Sequence, residues 1–168
     1  MTETLSATLP NDVEHLVAVV LKKACEQELK LATAESCTGG LLASLLTDVE
    51  GCAHVFDRGF VVYTNDAKTD LLGVAPEVLA RLTAVSPEVA AAMATGALLR
   101  SDADIAVAVT GFAGRGGPGE EPGLVYIAVA QAGRASRVEE QHFGDVGRGA
   151  VRLACLRHAL KMLQDSLG

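Results

Sequence analysis

Three short segments carry residues that could do chemistry together. The first, Glu35-Ser36-Cys37-Thr38-Gly39-Gly40, sets three possible nucleophiles beside a carboxylate. A hydroxyl or thiol stays weak until a base takes its proton. None of the four histidines, His15, His54, His142 and His158, lies in any of the three segments. Lys68, at the end of Tyr63-Thr64-Asn65-Asp66-Ala67-Lys68, is the remaining candidate base, since a lysine shielded from water gives up its proton near neutral pH. Tyr63 could orient it or relay the proton. The third segment is Thr110 followed by the glycine-dense GFAGRGGPGEEPG. Gly111, Gly114, Gly116, Gly117 and Gly119 have no side chain, so their amides can approach a phosphate closely. The loop is not a Walker motif, having no Gly-Lys-Ser/Thr ending, nor a dinucleotide fingerprint, since a strand follows it.

Each feature also has a plainer reading. Ser36 or Thr38 could merely cap the helix that follows. Lys68 could be a solvated helix residue and Tyr63 a packed strand aromatic. The glycine run could be a simple surface loop. Cys37 is a rival nucleophile, although lone cysteines mostly pack.

The elements around these segments read as alternating helix and strand. Asp12 can cap an amphipathic helix from Val13 to about Gln27, with Leu16, Val17, Val20, Leu21 and Ala24 on one side. A strand at Leu31–Ala34 runs through the polar turn into a second helix reaching about Thr47. Such a turn leaves amide donors at the helix start that favour negative charge. Val55 to Thr64 is rich in β-branched and aromatic residues and reads as a strand. Short helices follow to Leu72 and from Pro76. Ser86-Pro87-Glu88 opens an alanine-rich helix to about Arg100, whose small residues predict close packing on a sheet. Ala103–Thr110 is almost continuously apolar, as a central strand is. Leu124–Gln131 and Ser136–Phe143 read as strands, the second an edge hairpin partner, and Arg148 to about Asp165 as a basic amphipathic helix. Ligands of open α/β sheets bind beyond the carboxyl ends of the strands, so three parallel strands would bring the three segments to one crevice.

Composition narrows the class. The chain has 168 residues, 49% of them hydrophobic, and no Trp, as expected for one domain with an aliphatic core. Residues 1–11 read as a loose tail. A net charge of −7 argues against nucleic-acid or membrane-surface partners, while local donors could still hold a small anion. Cys25, Cys37, Cys52 and Cys155 form no CxxC pair, so neither a metal site nor a disulfide framework is expected, and reduced thiols fit a cytoplasmic setting. There is no signal pattern and no apolar run of bilayer length.

Four ordered blocks, AESCTGG, GFVVYTNDAK, TGFAGRGG with its following LVYIAVA, and HFGD with its following arginines, resemble the C-terminal domain of the CinA competence/damage-inducible family. The likeness covers about Leu16 to Leu163. It implies a three-layer α/β/α domain with a mixed, mostly parallel sheet. It also implies the stand-alone form of the domain, without the molybdopterin-binding-like domain of longer members. The activity it implies is hydrolysis of nicotinamide mononucleotide to nicotinate mononucleotide and ammonia, without metal or cofactor. In that reading Ser36 is the nucleophile, Lys68 the base and Tyr63 its helper. Glu35, Thr38, Gly39, Thr110, Gly111 and Gly114 line the substrate, and Arg148 or Arg152 takes the phosphate, with a homo-oligomer expected. Two positions depart from the family pattern: Arg115 stands where Pro is usual, and Val146-Gly147 separate Gly144-Asp145 from Arg148. The alternative is a non-catalytic nucleotide-binding or regulatory module linked to competence or DNA damage.

Overall fold

In the computed structural model, which describes residues 9–168, the strands are β1 (Leu31–Glu35), β2 (Phe56–Val61), β3 (Ile105–Gly111), β4 (Leu124–Gln131) and β5 (Arg137–His142). The helices are α1 (Asn11–Glu26), α2 (Leu41–Leu45), α3 (Asn65–Leu72), α4 (Pro76–Leu82), α5 (Pro87–Leu99) and α6 (Arg148–Leu167). The strands form one sheet in the order β2-β1-β3-β4-β5. β1 pairs in parallel with β2 and β3, while β4 runs antiparallel to both β3 and β5. The sheet is therefore mixed, with only β4 reversed.

Alternation along the central strands sorts the helices into two layers. Leu31, Ile105, Val107, Val109, Val125 and Ile127 face one way, onto α1, α2 and α6. Ala32, Ala34, Ala106, Ala108, Ala128 and Ala130 face the other way, onto α3, α4 and α5. The second face is built of small side chains, and α5 answers with Ala90, Ala94, Gly96 and Ala97, all buried. Gly96 lies directly against the Leu72 carbonyl, with no space for a Cβ. The close packing expected of the alanine-rich helix is thus present, and Ser86 caps it by accepting the Val89 amide at 3.3 Å.

Several boundaries differ from the sequence reading. Asp12 does not cap α1: the cap position is Pro10, without a side-chain bond, and Asp12 instead pairs with Arg157 on α6. A carboxylate in the first turn of one helix met a cation on its neighbour, and that contact took it. The expected loose tail lies outside the described residues except for residues 9–11, where Leu9 packs on the core and Asn11 already begins α1. α2 stops at Leu45 rather than near Thr47, because Thr47 and Asp48 turn back onto Ser44 and Leu45. β2 is shorter than expected, and β5 lies at the sheet edge as expected. No described helix is long and apolar enough to cross a membrane.

The connections define the crevice. From β1 the chain turns toward β2, and from β3 toward β4, so the loops at their carboxyl ends part in opposite directions. Such a switch point is where open α/β sheets leave a cleft.

Candidate active site

Ser36 follows directly on β1, its amide bonded to the Val109 carbonyl of β3 at 3.0 Å. Lys68 lies in the first turn of α3, a helix capped by Thr64, which accepts the Ala67 amide. The Lys68 Nζ is 3.2 Å from the Ser36 Oγ. It also donates to the main-chain carbonyls of Val62 at 2.9 Å and Tyr63 at 3.3 Å. Lys68 is only 1% exposed and Ser36 8%. Among the described residues no carboxylate pairs with Lys68. Desolvation pushes its pKa below the ordinary value of 10.5, with the neighbouring Cys37 acting the other way. A neutral amine has two N–H donors and one lone pair. Protonated, Lys68 donates to both carbonyls and to the Ser36 Oγ; in the neutral form, with the two donors kept on the carbonyls, the lone pair would face the serine hydroxyl.

Glu35 is fully buried, and its carboxylate accepts the amides of Gly40 at 3.1 Å, Leu42 at 3.0 Å and Ala43 at 2.7 Å. This departs from the sequence reading twice: Glu35 caps α2 from the strand side rather than touching a ligand, and the donors at that helix start are not open to an external anion. Neither Ser36 nor Thr38 caps α2, whose cap position is Gly40 at φ +94°. The remaining amides of the turn are mostly internal, since Gly39 donates to Ser36 and Leu41 to Thr38. Only the amides of Cys37 and Thr38, immediately after the serine, have no acceptor among the described residues of this turn.

Arg152 of α6 braces the turn from outside. Its Nε donates to the Cys37 carbonyl at 2.8 Å, and its guanidinium lies against Gly39, where a Cβ would meet it at 2.9 Å. Gly39 adopts φ +62°, so the bare α-carbon serves both the backbone and the arginine. The Cys37 thiol is buried on the α6 side in contact with Cys155. A hydrogen bond from Cys155 holds Cys37 below the usual thiol range, while Cys155 is pushed far up. Ser36, not Cys37, is the group bonded to the Lys68 amine.

In front of the turn lies a cleft of about 180 Å³, bounded by Cys37, Tyr63, Gly111 to Gly116, Glu120 and Arg148. All three segments singled out in the sequence contribute to it. The Arg148 guanidinium lies beside Gly114 and forms no ion pair among the described residues, whereas Arg115 is bound to Asp145 at 3.0 Å. Gly111 sits at the end of β3 against the backbone of Leu124 and Val125, and a Cβ there would collide with both.

Other expected site residues sit differently. The Tyr63 ring is 68% exposed at the cleft mouth; toward Lys68 it offers its carbonyl, not its hydroxyl. Thr110 is buried and donates its hydroxyl to the Ala84 carbonyl at 2.7 Å, holding the segment before α5. Thr38 is fully buried with its hydroxyl unpartnered, closed to a ligand. The sequence reading missed the capping role of Glu35, because the carboxylate reaches forward from a strand over five residues or more rather than from the usual cap position. It also missed Glu120, although Gly117-Pro118-Gly119-Glu120 carries the turn signature that places it.

Fold and site together define a three-layer α/β domain with a buried Ser–Lys pair at the carboxyl edge of its sheet. The model of the CinA C-terminal domain matches residues 13–167, and the chain belongs to that family. A putative competence-damage inducible protein of Caldicellulosiruptor bescii is 48% identical over 158 residues, covering 93% of this chain and 38% of that protein. A CinA-like protein of Akkermansia muciniphila is 54% identical over 116 residues, 68% of this chain and 28% of that protein. The chain thus spans less than two fifths of the length of these curated relatives. Among solved structures, the competence/damage inducible protein of Agrobacterium tumefaciens superposes with a TM-score of 0.91 at 47% identity, covering 96% of this chain and 98% of that one. A CinA superfamily protein of Escherichia coli gives 0.86 at 37% identity, covering 96% and 95%.

Proposed function

We propose that this domain hydrolyses the carboxamide of nicotinamide mononucleotide, releasing ammonia and nicotinate mononucleotide, through a serine ester. The reading rests on one observation above all: a serine hydroxyl within hydrogen-bond reach of a buried lysine amine whose own donors are already engaged. The Ser36 Oγ attacks the carboxamide carbon while the Lys68 Nζ takes its proton. Negative charge gathers on the carboxamide oxygen, and the free amides of Cys37 and Thr38 are the donors available to it. Lys68 returns the proton to the departing nitrogen as ammonia, leaving nicotinate esterified to Ser36. Water then attacks the ester, giving its proton to Lys68, which passes it to the Ser36 oxygen as the acid departs. Arg148 and the glycine-loop amides take the nucleotide phosphate, so an acidic protein holds an anion by local donors.

The deciding experiment is ammonia release from nicotinamide mononucleotide, with chelator present, by wild type and Ser36→Ala. The reading expects turnover from wild type and none above background from the variant, with binding of the nucleotide retained in both. Nucleotide binding by wild type without ammonia release would replace it with the non-catalytic module.

A further inference from the structure

The glycine loop is not an empty anion cradle, because a carboxylate of the chain already sits in it. Gly117-Pro118-Gly119-Glu120 forms a reverse turn: the Glu120 amide donates to the Gly117 carbonyl at 3.0 Å, and Gly119 takes φ +84°, with proline ahead of it as a type II turn prefers. From the end of this turn the Glu120 side chain folds back, and its Oε2 accepts the Gly117 amide at 2.6 Å. The carboxylate also lies so tightly over Gly116 that a Cβ there would collide with it. Glu120 borders the same cleft as Arg148, yet the two form no ion pair. The cleft is thus bordered by a guanidinium with no ion pair among the described residues and by Glu120, whose carboxylate already holds the Gly117 amide of the loop.

We propose that the Glu120 carboxylate occupies the loop's anion seat in the empty protein and limits the affinity of this cleft for phosphate-bearing ligands. The inference rests on the amidase reading only for the identity of the ligand, since any phosphate monoester would meet the same competitor. To use the Gly117 amide, a phosphate must displace Glu120 or bind beside it against like charge. Either course weakens binding relative to a loop without the carboxylate. The residue acts through the loop and takes no part in bond breaking.

The plainer role for Glu120 is closure of the turn, and one pair of variants separates the two. Glu120→Gln keeps an acceptor for the Gly117 amide but has no charge; Glu120→Ala removes both. Titration calorimetry with inorganic phosphate and with nicotinamide mononucleotide is carried out on wild type and both variants, with nicotinamide riboside as the phosphate-free control. The proposal expects both variants to bind phosphate and mononucleotide about three- to fivefold more tightly, the size of an exposed charge effect, with riboside binding unchanged. Where ammonia release is measurable, KM for the mononucleotide falls by the same factor and kcat holds. Glu120→Gln binding phosphate as wild type does, either variant binding mononucleotide more weakly, or phosphate binding to none of the three proteins overturns the proposal. Because the phosphate titration needs no turnover, a wild type that releases no ammonia defeats the amidase reading and leaves this test intact.

Discussion

The amine of Lys68 and the hydroxyl of Ser36 lie 3.2 Å apart although thirty-two positions separate them in the chain. The pair spans two helix–strand junctions: one residue leaves β1 and the other enters α3. The carbonyls of Val62 and Tyr63, at the end of the neighbouring strand, aim the amine. Burial disfavours the charged form of that amine.

Replacing Lys68 by Met tests this directly. The proposed amidase activity is expected to fall roughly 10²- to 10⁴-fold, the usual worth of a positioned base. In wild type, kcat/KM is expected to rise with pH through an apparent pKa below 10.5, because desolvation disfavours the charged amine. The folded value lies below the unfolded one, so between them the unfolded chain binds more protons and stability increases as pH rises. Urea unfolding at neutral and alkaline pH should show this gain in wild type and lose it in Lys68→Met. A Met variant with wild-type turnover would sink the mechanism.

Glu35 gives a different signature. Its carboxylate satisfies three amides of the turn after β1 and of α2 in a buried setting. Glu35→Ala should cost at least about 3 kcal/mol in urea unfolding, since those donors are left without a partner. Glu35→Gln offers only one acceptor oxygen and should fall between. In both variants kcat is expected to drop more than KM rises, because Ser36 is displaced rather than the ligand contacts.

The two arginines of α6 separate on kinetic grounds. Arg148 borders the cleft with no ion pair among the described residues, so Arg148→Ala is expected to raise KM for a phosphate-bearing substrate about 10- to 100-fold, the worth of one charge-assisted hydrogen bond, with kcat nearly kept. Arg152 holds the Cys37 carbonyl, so Arg152→Ala should lower kcat while KM changes little. The reverse pattern would exchange their roles.

Gly59 tests how tightly α2 is seated. A Cβ there would lie 2.8 Å from the Thr33 hydroxyl and 2.9 Å from the Ala43 Cβ. Gly59→Ala is expected to destabilise the fold by about 1–3 kcal/mol through overpacking, measured as a lowered denaturation midpoint. It should also slow turnover, because Ala43 donates to Glu35 and α2 carries that strain to the turn.

Much of this architecture was legible in the letters. The apolar run of β3, the Ser-Pro-Glu start of α5 and the strand β4 are local signals, and each element lies where its pattern placed it. The three polar segments could be singled out because strand ends in α/β sheets collect ligands. The partnerships inside the site were less visible. Glu35 reads as one more polar residue until β1 and α2 pack, when its carboxylate meets three amides. Thr110 and Thr38 look like ligand contacts until burial turns one to the Ala84 carbonyl and closes off the other.

The sequence by itself determined the alternation of helices and strands, the two sheet faces of large and small side chains, and the residue types able to react. These follow from periodicity and composition, which act between near neighbours in the chain. Only the tertiary structure decided which hydroxyl meets the amine, which arginine faces the cleft and which amides stay free. Those outcomes depend on distances and burial across elements far apart in sequence, where one contact excludes another and no local pattern records the result.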